Sequence, residues 1–282
     1  MKQPTDIPSL ADLRRDIDRI DESMHRLLME RGDIIDRLIA AKNTQESGSA
    51  FRPAREADMM RRLVQRHHGI LPLDTVESIW RVIISTFTHV QAPFSVHADL
   101  SAGDALMRDS ARFHFGFTVP FVAHTGAAGV VATVSESKGD LGLVPAFAMP
   151  EAGDWWTALE FESAPKIIAR LPFIDRADHP TALPVFVISR AAPDAMAAEA
   201  EVWSLHVTDW GPDAGRAAAA LAALMAVPDP MEDDGTALLV SLPAGRTIAE
   251  VTAALVKAGS KVHSSALVGS HATRYTVRAA TK

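Results

Sequence analysis

Apolar residues recur at every third or fourth position near the start of the chain. The stripe runs through Leu10, Leu13, Ile17, Ile20, Met24, Leu27, Ile34 and Leu38, and Arg31 takes the one step where an apolar side chain is expected. This spacing predicts a helix from about residue 9 to residue 42 that packs along a partner. At about 1.5 Å per residue such a helix is roughly 50 Å long, which is too long for one small helical domain. We therefore expect a homodimer.

Two shorter helical patterns follow. Pro53 is a favourable first residue for a second helix, and Gly69 is a favourable cap for its end. Asp74 and Glu77 have the spacing of a capping box, which predicts the start of a third helix. Three helices with brief connections predict an all-helical bundle over residues 9–92.

The composition changes after Pro93, a residue type that ends helical patterns. The rest of the chain is rich in Ala, Gly, Val and Pro, with short apolar runs at 118–122, 129–134 and 183–188. Such runs predict strands that alternate with short helices. The chain is therefore expected to be multidomain, with an α/β domain after the helical bundle.

Charge and composition limit the function classes. The formal net charge is −7, so neither a nucleic-acid partner nor an anionic membrane is expected. The chain has no cysteine, which excludes disulfides, thiolate metal sites and cysteine nucleophiles. His67 and His68 project in different directions and predict no metal site. The first residues do not resemble a secretory leader, and no run approaches the ~20 apolar residues of a membrane helix, so we expect a cytoplasmic protein.

Two cations lie on the stripe of the first helix. Lys42 follows Arg31 by about three helical turns and therefore lies on the same face. Burying two cations costs several kcal/mol each unless anions meet them, and Glu56 or a dianionic ligand could do so. Alternatively, both side chains reach solvent along the helix surface. The pattern alone leaves both interpretations open.

A resemblance to a known family favours the interpretation in which Arg31 and Lys42 bind a dianionic ligand. The segment LADLRRDIDRIDESMHRLLMERGDIIDRLIAAK resembles the first helix of the AroQ class of chorismate mutases, FRPAREADMMRRL resembles their second-helix RPxRE motif, and RVIISTFTHVQ resembles their third helix. The resemblance covers about residues 9–92. It implies an intertwined all-helical dimer that converts chorismate to prephenate by an intramolecular [3,3] rearrangement, without cofactor or metal.

The resemblance also implies the roles of six residues that match the family pattern: Arg14, Arg31, Lys42, Arg55, Glu56 and Gln91. Arg14 and Arg31 would bind the two carboxylates of the substrate. Lys42 and Gln91 would donate to the ether oxygen, Glu56 would hold the ring hydroxyl, and Arg55 would support the carboxylate or lysine region. Seventeen residues, or about 25 Å of helix, separate Arg14 from Arg31, so Arg14 is expected to come from the partner subunit.

Two positions depart from the family pattern. Phe87 stands where the family commonly has a small hydroxylic residue, and Thr86 and Thr88 are the candidates to replace it. Arg52 stands where an acidic residue is sometimes found, which adds positive charge at the edge of the substrate pocket. We include Thr88 and Arg52 among the expected substrate-binding residues, and expect the departures to affect turnover more than reaction type.

Residues 94–232 resemble prephenate dehydratases through SKGDLGLVPAF and LPVFVISR, and residues 233–282 resemble ACT-type regulatory domains through TALLVSLPAGRTIAEVTAALVKAG. The dehydratase functional motifs are missing, and Pro184 and Val185 stand where that family has Thr-Arg. We therefore expect no dehydratase activity, although the ACT likeness makes an aromatic amino acid a possible effector. The alternative for this region is an unrelated α/β domain.

Two other functions fit the same observations. An isochorismate pyruvate-lyase on the same fold would use the same arginines and lysine, although Glu56 and Gln91 favour the mutase. A regulatory protein that binds aromatic amino acids would have a vestigial mutase site. The six filled positions favour an enzyme.

Overall fold

The computed structural model describes residues 9–42, 50–147, 153–181, 183–190, 199–229 and 234–277. The chain divides into two compact units, Met1–Ser47 and Gly48–Lys282. The expected order of a helical region followed by an α/β region is confirmed.

The first unit contains helix α1, Leu10–Lys42. Ser9 starts it, because its hydroxyl accepts a hydrogen bond from the Asp12 backbone N–H at 3.1 Å. The predicted stripe lies on this helix, and from Leu10 to Ile34 its apolar side chains are exposed in the single chain, from 45% at Leu13 to 74% at Leu10, while Leu38 is half-buried. An apolar stripe of this length is an unsatisfied packing surface.

The second unit begins with helices α2, Pro53–Arg66, and α3, Leu73–Gln91. The predicted capping box at the start of α3 is wrong. Pro72 occupies the N-cap position and no side chain caps the helix. Glu77 is instead fully buried and its carboxylate faces His179 at 3.2 Å, so this side chain is not available to the helix start.

Across the described residues, nine strands form one mixed sheet with the order β2-β1-β3-β6-β4-β10-β7-β9-β8. Its first half alternates strands and helices: β1 Val96–Asp99, α4 Asp104–Phe115, β2 Phe121–His124, α5 Ala127–Glu136 and β3 Leu141–Pro145. A short 3-10 helix, Trp155–Leu159, precedes β4 Lys166–Leu171, β5 Ile174–Asp175 and β6 Val185–Ser189. Strands β1, β2 and β3 are parallel, and β6 is antiparallel to β3 and β4.

The second half of the sheet is a β-α-β-β-α-β arrangement: β7 Ala200–Thr208, α6 Pro212–Ala219, β8 Ala223–Pro228, β9 Thr236–Ser241, α7 Ile248–Lys257 and β10 Lys261–His271. A final strand, β11 Tyr275–Thr276, pairs with β5. The arrangement begins at Ala200, well before residue 233, where the sequence predicted an ACT-like segment to start. The predicted boundary therefore falls between two paired strands, β8 and β9.

Helices α2 and α3 share a hydrophobic core with the α/β region. Met60 of α2 and Ile84 of α3 belong to the same buried cluster as Phe115 of α4 and Ile168 of β4. The boundary predicted near residue 93 thus marks the change from helices to strands. It does not divide two hydrophobic cores, because residues on both sides of it pack in the same core. Each of α2 and α3 therefore has one face buried in this core, although Ile79, Val82 and Val90 of α3 remain exposed, as does most of the α1 stripe.

Candidate active site

The expected site residues are divided between the two units. Arg14, Arg31 and Lys42 lie on α1, where Arg14 is exposed and Arg31 is half-buried. Lys42 is the last residue of the helix, and its side chain lies outside the described part of the chain. The helix has the predicted length, so the 17 residues between Arg14 and Arg31 do span about 25 Å of one continuous helix.

Glu56 is buried near the start of α2. Its Oε2 atom accepts a hydrogen bond from Nη1 of Arg81 at 2.6 Å, and the Arg81 side chain is fully buried. Arg81 also donates from Nη2 to the His114 carbonyl at 3.2 Å and lies 5.1 Å from the centre of the Phe173 ring. The acid expected to hold the substrate hydroxyl is therefore fixed by a cation from α3.

Arg81 is not among the site residues that the sequence predicts. It stands within SIWRVIIST, an apolar stretch of the third helix, and so carries the same kind of signal as Arg31. A cation on the buried face of a helix is destabilising unless an anion lies next to it. The sequence predicts Glu56 only as a partner for the substrate or for the cations of the first helix.

The other expected residues lie at the start of α2 and the end of α3. Arg52 donates from Nη1 to the Phe51 carbonyl at 3.1 Å, while Arg55 is exposed. In the last turn of α3, Thr88 is buried and Gln91 donates from Nε2 to the Phe87 carbonyl at 3.0 Å. The buried position of Thr88 keeps it a candidate for the missing small hydroxyl.

A second buried acid, Glu77, connects α3 to the segment after β5. The His179 ring nitrogen Nδ1 accepts from the Thr181 backbone N–H at 3.1 Å, so its Nε2–H faces the Glu77 carboxylate. The His179 ring stacks on that of His114 with centroids 6.3 Å apart. Burial and the nearby Arg81 charge lower the pKa of His114 well below its ordinary value. This arrangement keeps His114 neutral next to the Arg81–Glu56 pair.

The position matching the dehydratase Thr-Arg pair is apolar. Pro184 accepts a backbone hydrogen bond from Ala146 at 2.9 Å, and Val185 is the first, fully buried residue of β6. Neither side chain has a polar atom. Phe186, the next residue, lines a small cavity of about 130 Å³ together with Arg170 and Ser241.

None of the described helices is long and apolar enough to cross a membrane. Within the described ranges, no three His, Asp or Glu side chains are arranged to hold a metal ion.

Comparison with known proteins identifies the helical region. Residues 13–92 match the family model of chorismate mutase type II. The chain is 28% identical over 140 residues to a bifunctional chorismate mutase/prephenate dehydratase of Aquifex aeolicus, covering 48% of this chain and 38% of that protein. It is 32% identical over 114 residues to a protein of the same name from Neisseria gonorrhoeae, covering 40% and 29%. The chain thus spans well under half the length of these relatives, and the resemblance of its first region to chorismate mutases is confirmed.

Two solved structures show a weaker likeness. Prephenate dehydratase from Streptococcus mutans has a TM-score of 0.40 and 14% identity over 65% of this chain and 99% of its own. A structure described as GqqA, a novel type of quorum quenching acylase, has a TM-score of 0.41 and 12% identity over 63% and 94%.

Proposed function

We propose that this chain, whose residues 13–92 match chorismate mutase type II, converts chorismate to prephenate in aromatic amino acid biosynthesis. The observation that carries the proposal is this family match together with six charged or amide residues in the family register. The reaction is unimolecular and requires no nucleophile, acid or metal. The protein has only to hold the reactive conformer and stabilise the charge that develops as the C–O bond breaks.

Each residue type suits its proposed task. The guanidinium groups of Arg14 and Arg31 can each bind a carboxylate through two parallel hydrogen bonds. Lys42 and Gln91 would donate to the ether oxygen, where negative charge grows in the transition state, so their interactions strengthen as the reaction proceeds. Glu56 would accept the ring hydroxyl, and its ion pair with Arg81 holds the carboxylate in position for this.

The same proposal includes a homodimer in which each site takes Arg14 from the partner subunit. Two observations support it: the stripe of α1 is exposed in the single chain, and about 25 Å of helix separates Arg14 from Arg31. One chorismate molecule cannot reach both side chains on one straight helix. An antiparallel α1 from a second copy would bring the two arginines together and cover the apolar stripe.

The first test is direct. The purified chain should consume chorismate, followed by its ultraviolet absorbance, and yield prephenate. The product should not become phenylpyruvate until acid is added, because Pro184 and Val185 offer no hydroxyl or cation where dehydratases carry Thr-Arg. No loss of chorismate would refute the mutase, and release of pyruvate from isochorismate would favour the lyase. Phenylpyruvate at neutral pH would refute the proposed absence of dehydratase activity.

The shared site predicts complementation between two inactive variants. Arg14→Ala and Arg31→Ala chains are each expected to be inactive, but a mixture refolded together should regain activity. With random pairing, about one quarter of all sites would carry both arginines, since half of the dimers are mixed and each has one intact site. The fraction of intact sites is obtained from the activity of the mixture per amount of total protein. A mixture no more active than its components would show that Arg14 and Arg31 do not act across two subunits.

A further inference from the structure

A cleft of about 780 Å³ opens in the second unit, at the edge of the sheet where β4, β9 and β10 end. These strands run in the same direction, so their carboxyl ends meet there. The cleft has the volume of a small-molecule site. Much of its wall is apolar, formed by side chains such as Ala200, Leu221, Ala222, Leu242 and Pro243. It contains none of the expected chorismate mutase residues.

Arg170, near the end of β4, gives the cleft an uncompensated cation. Among the described residues it has no ion pair, and its buried Nε–H has no hydrogen-bond acceptor. The Phe186 ring lies 5.8 Å from its guanidinium carbon, and the nearby negative charge is that of Asp175, whose carboxylate is paired with Arg274. Burial and the nearby Arg274 charge lower the pKa of Arg170 from its ordinary value. A cation held in this way is stabilised by an anion that enters the cleft.

The second arginine of the cleft already has a partner. Arg274 donates from Nη2 to Asp175 at 2.6 Å and from Nε to the Pro172 carbonyl at 3.0 Å. Asp175 is therefore engaged, and the four ionisable lining groups (Arg170, Arg274, Asp175 and a neutral His271) leave one net positive charge. The cleft is therefore positively charged, although the whole protein has a formal net charge of −7.

A Ser–His pair completes the polar lining. His271 donates from Nδ1 to the Ala272 carbonyl at 2.9 Å, so its Nε2 accepts the Ser241 hydroxyl at 2.8 Å. Burial, followed by the charges of Arg170 and Arg274, lowers the pKa of His271 to about 4. Such a weak base does not activate a serine at neutral pH. The pair therefore contributes hydrogen-bonding groups to the lining of the cleft.

We propose that this cleft binds a small organic carboxylate with an apolar body, whose carboxylate meets the Arg170 guanidinium and whose body lies on the alanine- and leucine-lined wall. An amino acid is the poorer ligand. Its ammonium group would approach Arg170 and Arg274, and Asp175 is already bound to Arg274. This site is separate from the proposed mutase site and does not depend on it.

The test compares three related molecules by calorimetry on the full chain. The probe is 3-phenylpropanoate, with 3-phenylpropanamide as its uncharged analogue and L-phenylalanine as the analogue with an added ammonium group. We expect the carboxylate to bind at least ~10-fold more tightly than the amide, since charge-assisted hydrogen bonds to Arg are lost. Phenylalanine should also bind more weakly than 3-phenylpropanoate.

Three variants and one spectroscopic signal locate the binding. Arg170→Met should weaken 3-phenylpropanoate by roughly 10- to 100-fold, while the exposed Arg216→Met should not. Arg31→Ala should leave binding intact, which distinguishes this cleft from the mutase site. The ring resonances of His271 should shift on binding, with its pKa raised above the ligand-free value. Equal binding of acid and amide, tighter binding of phenylalanine, loss in Arg31→Ala, or no effect of Arg170→Met would each overturn the proposal.

Discussion

Replacing Lys42 with alanine is expected to lower kcat for chorismate by roughly 10²–10³-fold, the effect of removing one preorganised donor to a developing oxyanion. The rearrangement has no proton transfer or covalent step, so stabilisation of the ether oxygen is one of the few contributions the protein can make to the barrier. A cation at that oxygen interacts more strongly as the C–O bond lengthens. We therefore expect kcat to fall more than KM rises, as measured by steady-state loss of chorismate absorbance.

The matched control is Arg37→Ala on the same helix. Arg37 is exposed, lies off the apolar stripe, and among the described residues donates to the Asp33 carbonyl within its own helix. It should retain near-normal kcat and KM. A Lys42→Ala chain with normal kcat and raised KM would mean that Lys42 holds the substrate equally in ground and transition states. That outcome would contradict its proposed role at the ether oxygen.

The sequence predicted α1 well because one physical signal dominates there. A regular apolar stripe with no proline specifies a long helix whatever surrounds it, and the observed bounds differ from the predicted ones by a single residue at Leu10. The same pattern could not tell what α2 and α3 would pack against. Their apolar faces fit a helical bundle or an α/β core equally well, and Met60 and Ile84 pack with Phe115 and Ile168.

Long-range polar pairs were the least predictable part of the candidate site. Arg81 and Glu56 are separated by 25 residues, and Glu77 and His179 by 102. No local spacing rule connects such residues, since their pairing depends on how separate elements are packed. The capping-box prediction failed for this reason. Glu77 has the correct spacing from Asp74, but burial and the approach of His179 involve the carboxylate in a contact that local sequence does not encode.

The predicted boundaries of the C-terminal region are also limited by what local sequence can encode. Motif resemblance placed a new domain at residue 233, because TALLVSLP reads as the first strand of an ACT-like unit. In the structure this strand, β9, lies between β7 and β8, so it is a middle strand of an arrangement that begins at Ala200. A strand pattern predicts which residues form a strand, but it does not predict the position of that strand in the strand order of the sheet.

Replacing Arg81 with alanine is expected to destabilise the second unit by about 3–5 kcal/mol, the cost of leaving a buried carboxylate without its cation. The change removes the only ion pair recorded for Glu56 among the described residues, the hydrogen bond to the His114 carbonyl, and the contact with the Phe173 ring. It should also lower mutase activity, because Glu56 would lose the group that fixes its position. The measurement is the urea unfolding midpoint with an unchanged m-value.

Two further variants separate charge from packing at this site. Arg216→Ala removes an exposed i,i+3 ion pair with Asp213 and should leave the midpoint unchanged. The double variant Glu56→Gln/Arg81→Met should be more stable than Arg81→Ala alone, since it leaves no buried charge and keeps an apolar side chain beside Phe173. If instead Arg81→Ala unfolds at the wild-type midpoint, Glu56 must find water or another donor. That result would contradict the proposed contribution of the buried Arg81–Glu56 pair to the stability of the second unit.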